Sequence, residues 1–195
     1  MIAYRYMDAS PYFDEEAFQE GVCLLPSALR AYAAAPTDTG ARALRLAGLL
    51  LLTLLYRSEV GHGPLPPILF TEKGKPYFTE GAYHFNISHS GRLAVCALGK
   101  EPLGVDIEPI RKDYTEKEER VARRFFCEGE QKLLSVALDK GEAFTRIWVK
   151  KEALAKKGGE GASALFATET TAARFAKEET VFDNEDTSYF LAIAD

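Results

Sequence analysis

Asp106 and Glu108 stand two residues apart in Leu103–Gly104–Val105–Asp106–Ile107–Glu108, where apolar and polar residues alternate as in a β-strand. Successive strand side chains point to opposite faces, so the two carboxylates share one face and Ile107 takes the other. Adjacent anions repel unless a cation lies between them. A hard divalent ion such as Mg²⁺ is held by one or two carboxylates together with phosphate and water oxygens, which is the chemistry this pair offers. A solvated edge strand has the same pattern, so the pair alone does not decide.

A second group lies on the helix predicted over Glu142–Lys157. With Phe144 at the origin, Ile147, Trp148, Leu154 and Ala155 fall within about 80° of it and mark the buried face, and Lys151 falls near its centre at about 340°. A buried ammonium must be paired, so Lys151 requires an anion. Glu152 and Lys156 follow at about 80° and 120°, one turn apart on the rim of that face, where a core meets a cleft. They read either as site residues or as an exposed i, i+4 ion pair.

His89 lies in Phe85–Asn86–Ile87–Ser88–His89–Ser90–Gly91, where a strand ends in small polar residues and glycine. Such a turn can aim backbone N–H groups and an imidazole at an anion; a structural histidine is the other reading, and the one given to His62 and His84. Lys75, between Gly74 and Pro76, projects from a turn. Cys96 and Cys127 sit among apolar neighbours and read as packing residues.

The elements that must carry these groups can be traced along the chain. Thr39–Arg57 reads as a helix, apolar nearly all round and therefore central, stopped by Gly61–His62–Gly63–Pro64. Pro64, Pro66 and Pro67 force an extended passage into Ile68–Phe70, and a turn at Thr71–Pro76 leads to another short strand. Tyr83–Ser88 and Leu93–Leu98 carry strand signals. Thr115–Phe126 and Glu128–Leu138 read as helices, Gly158–Gly159–Glu160–Gly161 ends the last helix, and the final residues return to strands, closing with Tyr189–Ala194. Each half of the chain thus runs from helix to strands and ends on a similar strand, which hints at a duplicated α+β unit without a residue-level repeat.

Composition sets the frame. A chain of 195 residues, 47% hydrophobic and 27% charged, is ordinary globular usage and suits one large domain or two small ones. The net charge of -5 argues against coating nucleic acid, and it is uneven: residues 1–100 balance nine acidic against nine basic groups, while residues 101–195 hold 20 acidic and 15 basic. Three widely spaced cysteines fit neither a disulfide framework nor a zinc site, and point to a reducing cytoplasm. The run Leu46–Tyr56, at about eleven residues, falls short of the roughly 20 needed to span a bilayer, so no membrane segment is expected.

Taken together, Gly74–Lys75–Pro76, Phe85–Asn86–Ile87–Ser88–His89–Ser90–Gly91, Leu103–Gly104–Val105–Asp106–Ile107–Glu108 and Trp148–Val149–Lys150–Lys151–Glu152–Ala153–Leu154–Ala155–Lys156 resemble, in order and spacing, the Sfp-type 4′-phosphopantetheinyl transferases. Arg124–Phe125–Phe126, with Glu130 beyond, resembles the family's intervening segment. The resemblance implies a pseudo-dimer of two similar α+β halves, here residues 1–100 and 101–195, with coenzyme A in the cleft between them. It implies Mg²⁺-dependent transfer of the 4′-phosphopantetheine arm of coenzyme A to a serine of an apo acyl or peptidyl carrier protein, the holo-carrier-protein synthase reaction, with release of adenosine 3′,5′-bisphosphate; the alternative is a non-catalytic relative that binds coenzyme A or a carrier protein.

By the same resemblance Asp106, Glu108 and Glu152 would hold the metal. Lys156 would reach a phosphate oxygen, and the position of Glu152 is also a candidate base for the acceptor serine. Lys75, Ser88 and His89 would hold the coenzyme's phosphates, and an arginine of the early helix, Arg45 or alternatively Arg42, would meet the 3′-phosphate. The segment Pro26–Arg30 lacks the basic cluster often found there. Lys117, Arg120 and Arg124 share a helix face that either docks an acidic carrier, with Phe125 or Phe126 as apolar anchor, or is a salt-bridged surface. The expected protein is a cytoplasmic monomer.

Overall fold

The computed structural model describes residues 2–159, 165 and 168–195. Glu160 and Gly161, read above as part of the stop after the last helix, lie outside the described residues.

Among the described residues, three antiparallel sheets and six α-helices, with a 3-10 turn at Ser10–Phe13, follow in the order β1 (Ile2–Asp8), α1 (Glu15–Leu24), α2 (Ser27–Ala34), α3 (Thr39–Glu59), β2 (Ile68–Phe70), β3 (Pro76–Phe78), β4 (His84–Ser90), β5 (Leu93–Gly99), β6 (Gly104–Pro109), α4 (Glu116–Phe125), α5 (Glu128–Val136), α6 (Lys140–Gly158), β7 (Lys177–Phe182) and β8 (Ser188–Ala194). The fold is α+β. The first sheet has strand order β1-β5-β4, the last β6-β8-β7, and β2 and β3 form a separate hairpin. In each three-stranded sheet the strand met first along the chain pairs with the one met last, and a long helix, α3 or α6, precedes the final hairpin.

The central strands β5 and β8, the pair whose likeness is visible in the sequence, are buried nearly throughout. Their alternation explains the layers. Ala94, Cys96 and Leu98 pack with Ala43, Ala47, Leu51 and Leu55 of α3, while Leu93, Val95 and Ala97 meet Val105, Ile107, Leu191 and Ile193 of the other sheet. Phe190, Ala192 and Ala194 turn the opposite way, onto Val149 and Ala153 of α6. The two sheets therefore pack face to face between α3 and α6. By length and composition α3 could cross a membrane; here its apolar residues contact the first sheet and, through Leu46, Leu49 and Leu50, also α1 and α2.

Helix starts follow the polar residues that accept their first free N–H groups: Asp38 from Ala41 at α3 (2.7 Å) and Asp139 from Glu142 at α6 (2.8 Å). Gly159, in the left-handed region at φ 71°, closes α6.

One expectation is corrected. His89 and Ser90 do not lie in a turn: β4 continues through both, opposite Ala94 and Leu93. The strand extends because the hairpin needs only Gly91 and Arg92, with Gly91 at φ +56° against the Tyr189 hydroxyl, where a side chain would collide.

Candidate active site

Gly104 decides how α6 meets β6. A methyl group on it would overlap the carbonyl oxygen of Ala153 and the amide nitrogen of Lys157, so only glycine lets the helix lie directly on the strand. That contact brings Glu152 and Lys156 of α6 beside Asp106 and Glu108 of β6. Ile107 is wholly buried between the sheets and Asp106 is 4% exposed on the opposite face, as the strand alternation requires.

Asp106 Oδ1 accepts hydrogen bonds from Ser88 Oγ (2.7 Å) and Lys156 Nζ (2.5 Å), and Lys156 also donates to Ser88 Oγ (2.9 Å). Asp106 Oδ2 is buried with no partner. Glu108 Oε2 accepts from Ser90 Oγ at 2.6 Å. Burial, and then the charge of Asp106, push the carboxyl of Glu152 above the usual range, with Glu108 adding to the shift and Lys156 opposing it. The Glu108 carboxyl is raised as well, first by burial and then by Asp106, against the Ser90 hydrogen bond and the charges of Arg111 and Lys156. Three carboxylates thus repel one another around one ammonium.

Among the described residues no three His, Cys, Asp or Glu side chains already form a cage for a metal ion. The donor set nonetheless fits a hard divalent cation. The donors are carboxylate oxygens, and Asp106 Oδ2 is a buried acceptor without a donor, so water and phosphate oxygens would complete the shell.

Two cavities adjoin this group. One, of about 290 Å³, is lined by Lys75, Asn86, Glu152, Lys156 and Gly159. The other, of about 250 Å³, is lined by Tyr32, Arg45, Phe70 and His89, and the two share Pro76 and Ile87. Arg45 lies over the Tyr32 ring at 4.5 Å and donates to the Tyr32 carbonyl at 3.1 Å. Arg42, one turn earlier, points instead to Glu15 and the Phe18 ring, so the helix register places Arg45 in the cavity and Arg42 outside it. His89 keeps an exposed edge, yet its pKa is lowered, first by the protein atoms that displace water from it and then by Lys156 and Arg45. Neutral imidazole is favoured there. Lys75 Nζ donates to the Lys156 and Lys157 carbonyls at the C-terminal end of α6, where a cation is favoured, and burial lowers its pKa.

The anion required by Lys151 is Glu130. Both side chains are fully buried, with Nζ 2.9 Å from Oε2, and Glu130 also accepts from Cys127 N and from Thr170 N and Oγ1. Two contributors went unread in the sequence. Asn86 Oδ1 accepts from Val105 N at 2.8 Å and Ser90 holds Glu108; both lie in the motif around His89, at the alternate positions of β4, and that period was the available signal. Phe126 is corrected: only 5% exposed and stacked on Phe144, it cannot anchor a partner. On α4, Arg120 pairs with Glu116 across one turn and Arg124 lies over the Phe125 ring, while Arg123, on another face, pairs with Glu119.

A family model described as the 4′-phosphopantetheinyl transferase superfamily matches residues 102–191. The chain is 41% identical over 96 residues to the 4′-phosphopantetheinyl transferase Sfp of Bacillus subtilis, covering 47% of this chain and 41% of that protein. It is 36% identical over 134 residues to the 4′-phosphopantetheinyl transferase AcpT of Salmonella typhimurium, covering 67% of this chain and 66% of the relative. To the 4′-phosphopantetheinyl transferase HetI of a Nostoc species it is 38% identical over 103 residues, 49% of this chain and 43% of the relative. The chain thus spans from about two fifths to just under two thirds of these relatives' lengths. The family match contains Asp106, Glu108, Glu152 and Lys156, the residues that meet where α6 lies on β6, and with relatives at this identity residues 102–191 form a domain of the 4′-phosphopantetheinyl transferase superfamily.

Proposed function

We propose that this protein transfers the 4′-phosphopantetheine group of coenzyme A to a serine hydroxyl of an apo acyl or peptidyl carrier protein, in a Mg²⁺-dependent reaction that releases adenosine 3′,5′-bisphosphate. The observation that carries the reading is the meeting of Asp106, Glu108 and Glu152, with Asp106 Oδ2 unpartnered, at a cavity walled by Lys75 and Lys156. Bound there, Mg²⁺ would supply neutralisation of the pyrophosphate charge.

The protein's own groups do the rest. Lys156 holds a phosphate oxygen against the charge that develops on the leaving group. The serine oxygen bonds to the phosphorus of the arm as the bond from that phosphorus to the adenosine bisphosphate oxygen breaks. The serine proton passes to a base, and Glu152, whose raised proton affinity suits that task, is the candidate. Arg45 and neutral His89 serve the adenosine end in the adjoining cavity.

We read the two halves, residues 1–100 and 101–195, as a duplicated unit with the site at their seam. The identical strand orders of the two sheets support this, as do the groups from β4 and β6 that meet at the carboxylates.

The test is incubation with coenzyme A, Mg²⁺ and apo carrier proteins of several classes, followed by intact-mass spectrometry. Phosphopantetheine addition to at least one carrier is expected, dependent on the divalent ion; no addition to any of them would overturn the reading. Calorimetry with coenzyme A is expected to show weaker binding for Arg45→Ala and wild-type binding for Arg42→Ala.

A further inference from the structure

Strands β4 and β6 belong to different sheets and share no backbone ladder. Side chains join them instead. Asn86 Oδ1 accepts from Val105 N at 2.8 Å, Ser88 Oγ donates to Asp106 Oδ1 at 2.7 Å and Ser90 Oγ donates to Glu108 Oε2 at 2.6 Å. The two serine rungs span the same sequence separation, 18 residues, so the strands run in the same direction and their side-chain periods stay in step. Each serine takes one oxygen of one carboxylate. The other oxygen of Asp106, Oδ2, is buried without a hydrogen-bond partner, and the other oxygen of Glu108, Oε1, is not the one that Ser90 holds.

We propose that Ser90 is a positioning residue: its hydroxyl fixes the rotamer of Glu108, so that Oε1 is presented with Asp106 Oδ2 to one hard divalent cation. The assignment rests on the metal-dependent reading above. Ser88 is a poorer probe, because its hydroxyl also accepts from Lys156 and its loss would disturb two partners. Ser90 has one partner of this kind, so its hydroxyl can be removed cleanly. Without it a glutamate is free to rotate, and the cation must order it on binding. Groups that orient metal ligands from behind are commonly worth about 10-fold to 100-fold in metal affinity.

The test is Mn²⁺ binding to the full chain with coenzyme A present, followed by the electron paramagnetic resonance signal of free Mn²⁺, in wild type, Ser90→Ala, Ser90→Thr, Glu108→Gln and the double variant Ser90→Ala/Glu108→Gln. Expected are a dissociation constant raised about 10-fold or more in Ser90→Ala, near-wild-type binding in Ser90→Thr, which keeps the hydroxyl, and a double variant no weaker than Glu108→Gln alone. Thermal unfolding of each variant separates lost ligation from lost folding. Wild-type affinity in Ser90→Ala, or additive losses in the double variant, would overturn the positioning role and leave the metal reading standing. Wild-type protein that binds no Mn²⁺ would defeat the metal reading, and the positioning role with it.

Discussion

Glu130→Gln tests how α6 is held in place. Glu130 and Lys151 are each 0% exposed, and five contacts converge on the Glu130 carboxylate: Lys151 at 2.9 and 3.2 Å, Cys127 N at 2.9 Å, Thr170 N at 2.9 Å and Thr170 Oγ1 at 2.8 Å. Glutamine can keep a carbonyl towards Thr170, but its amide group then faces the Cys127 N–H and the Lys151 ammonium, donor against donor. Breaking one side of a buried pair costs about 3–5 kcal/mol, and the orphaned backbone N–H falls within that figure because the effects overlap. At roughly 2–4 °C per kcal/mol for a chain of this size, the unfolding midpoint should drop by about 10 °C. The single tryptophan, Trp148, lies on α6 and stacks on Phe144, so its fluorescence in urea reports the event.

The same substitution has a pH signature. Burial alone would raise the Glu130 carboxyl; the Lys151 ammonium and the Cys127 and Thr170 N–H groups outweigh it and hold the carboxyl below its ordinary value of 4.5. A depressed carboxyl contributes stability that is fully present above the unfolded value and is lost as pH falls through the folded one, so the wild-type advantage should shrink below about pH 4.5. Adding Lys151→Met, which removes the unpaired ammonium, should recover part of the loss. A Glu130→Gln variant within about 0.5 kcal/mol of wild type, with an unchanged acid profile, would refute the claim that this pair secures the helix.

Two further outcomes are expected. Gly104→Ala must push α6 off β6 and should cost about 1–3 kcal/mol, read as a lowered urea midpoint, with a larger drop in transfer activity than in stability as Glu152 and Lys156 move from Asp106. Glu152→Gln removes a carboxylate that its neighbours repel, and should leave the metal-free protein as stable as wild type or up to about 1 kcal/mol more stable by thermal unfolding, while abolishing transfer.

Periodicity carried much of this site into view. The alternation around Ile107 puts Asp106 and Glu108 on one face, and the helical wheel separates Lys151, which needs an internal anion, from Glu152 and Lys156 at the rim. The structure has Lys151 fully buried and Lys156 30% exposed, in that sense. What stayed hidden depended on distant parts of the chain. In residues 2–34 the capping start Asp14–Glu15–Glu16 of α1 is the local mark; the faces of β1, α1 and α2 are of mixed polarity because β1 is an edge strand and the two helices cover one side of α3. Ser88–His89–Ser90–Gly91 has turn composition, and pairing with β5 overrides it through Ser90.

The rungs from Ser88 and Ser90 to β6 were hidden for a related reason. A serine hydroxyl acquires a specific role only from the acceptor that another strand brings to it, and the separation between β4 and β6 carries no mark in either segment. The same holds for Asp106. Its sequence offers a carboxylate, but the folded chain divides its two oxygens, one tied to Ser88 and Lys156 and one buried without a partner. A buried acceptor without a donor is costly in a fold that leaves it so, whereas a bound cation with water and phosphate in its shell would satisfy it. The cost therefore falls on the same oxygen that the proposed reaction requires, and Asp106→Asn, which can turn its amide nitrogen into that position, should be tolerated by the fold and not by transfer.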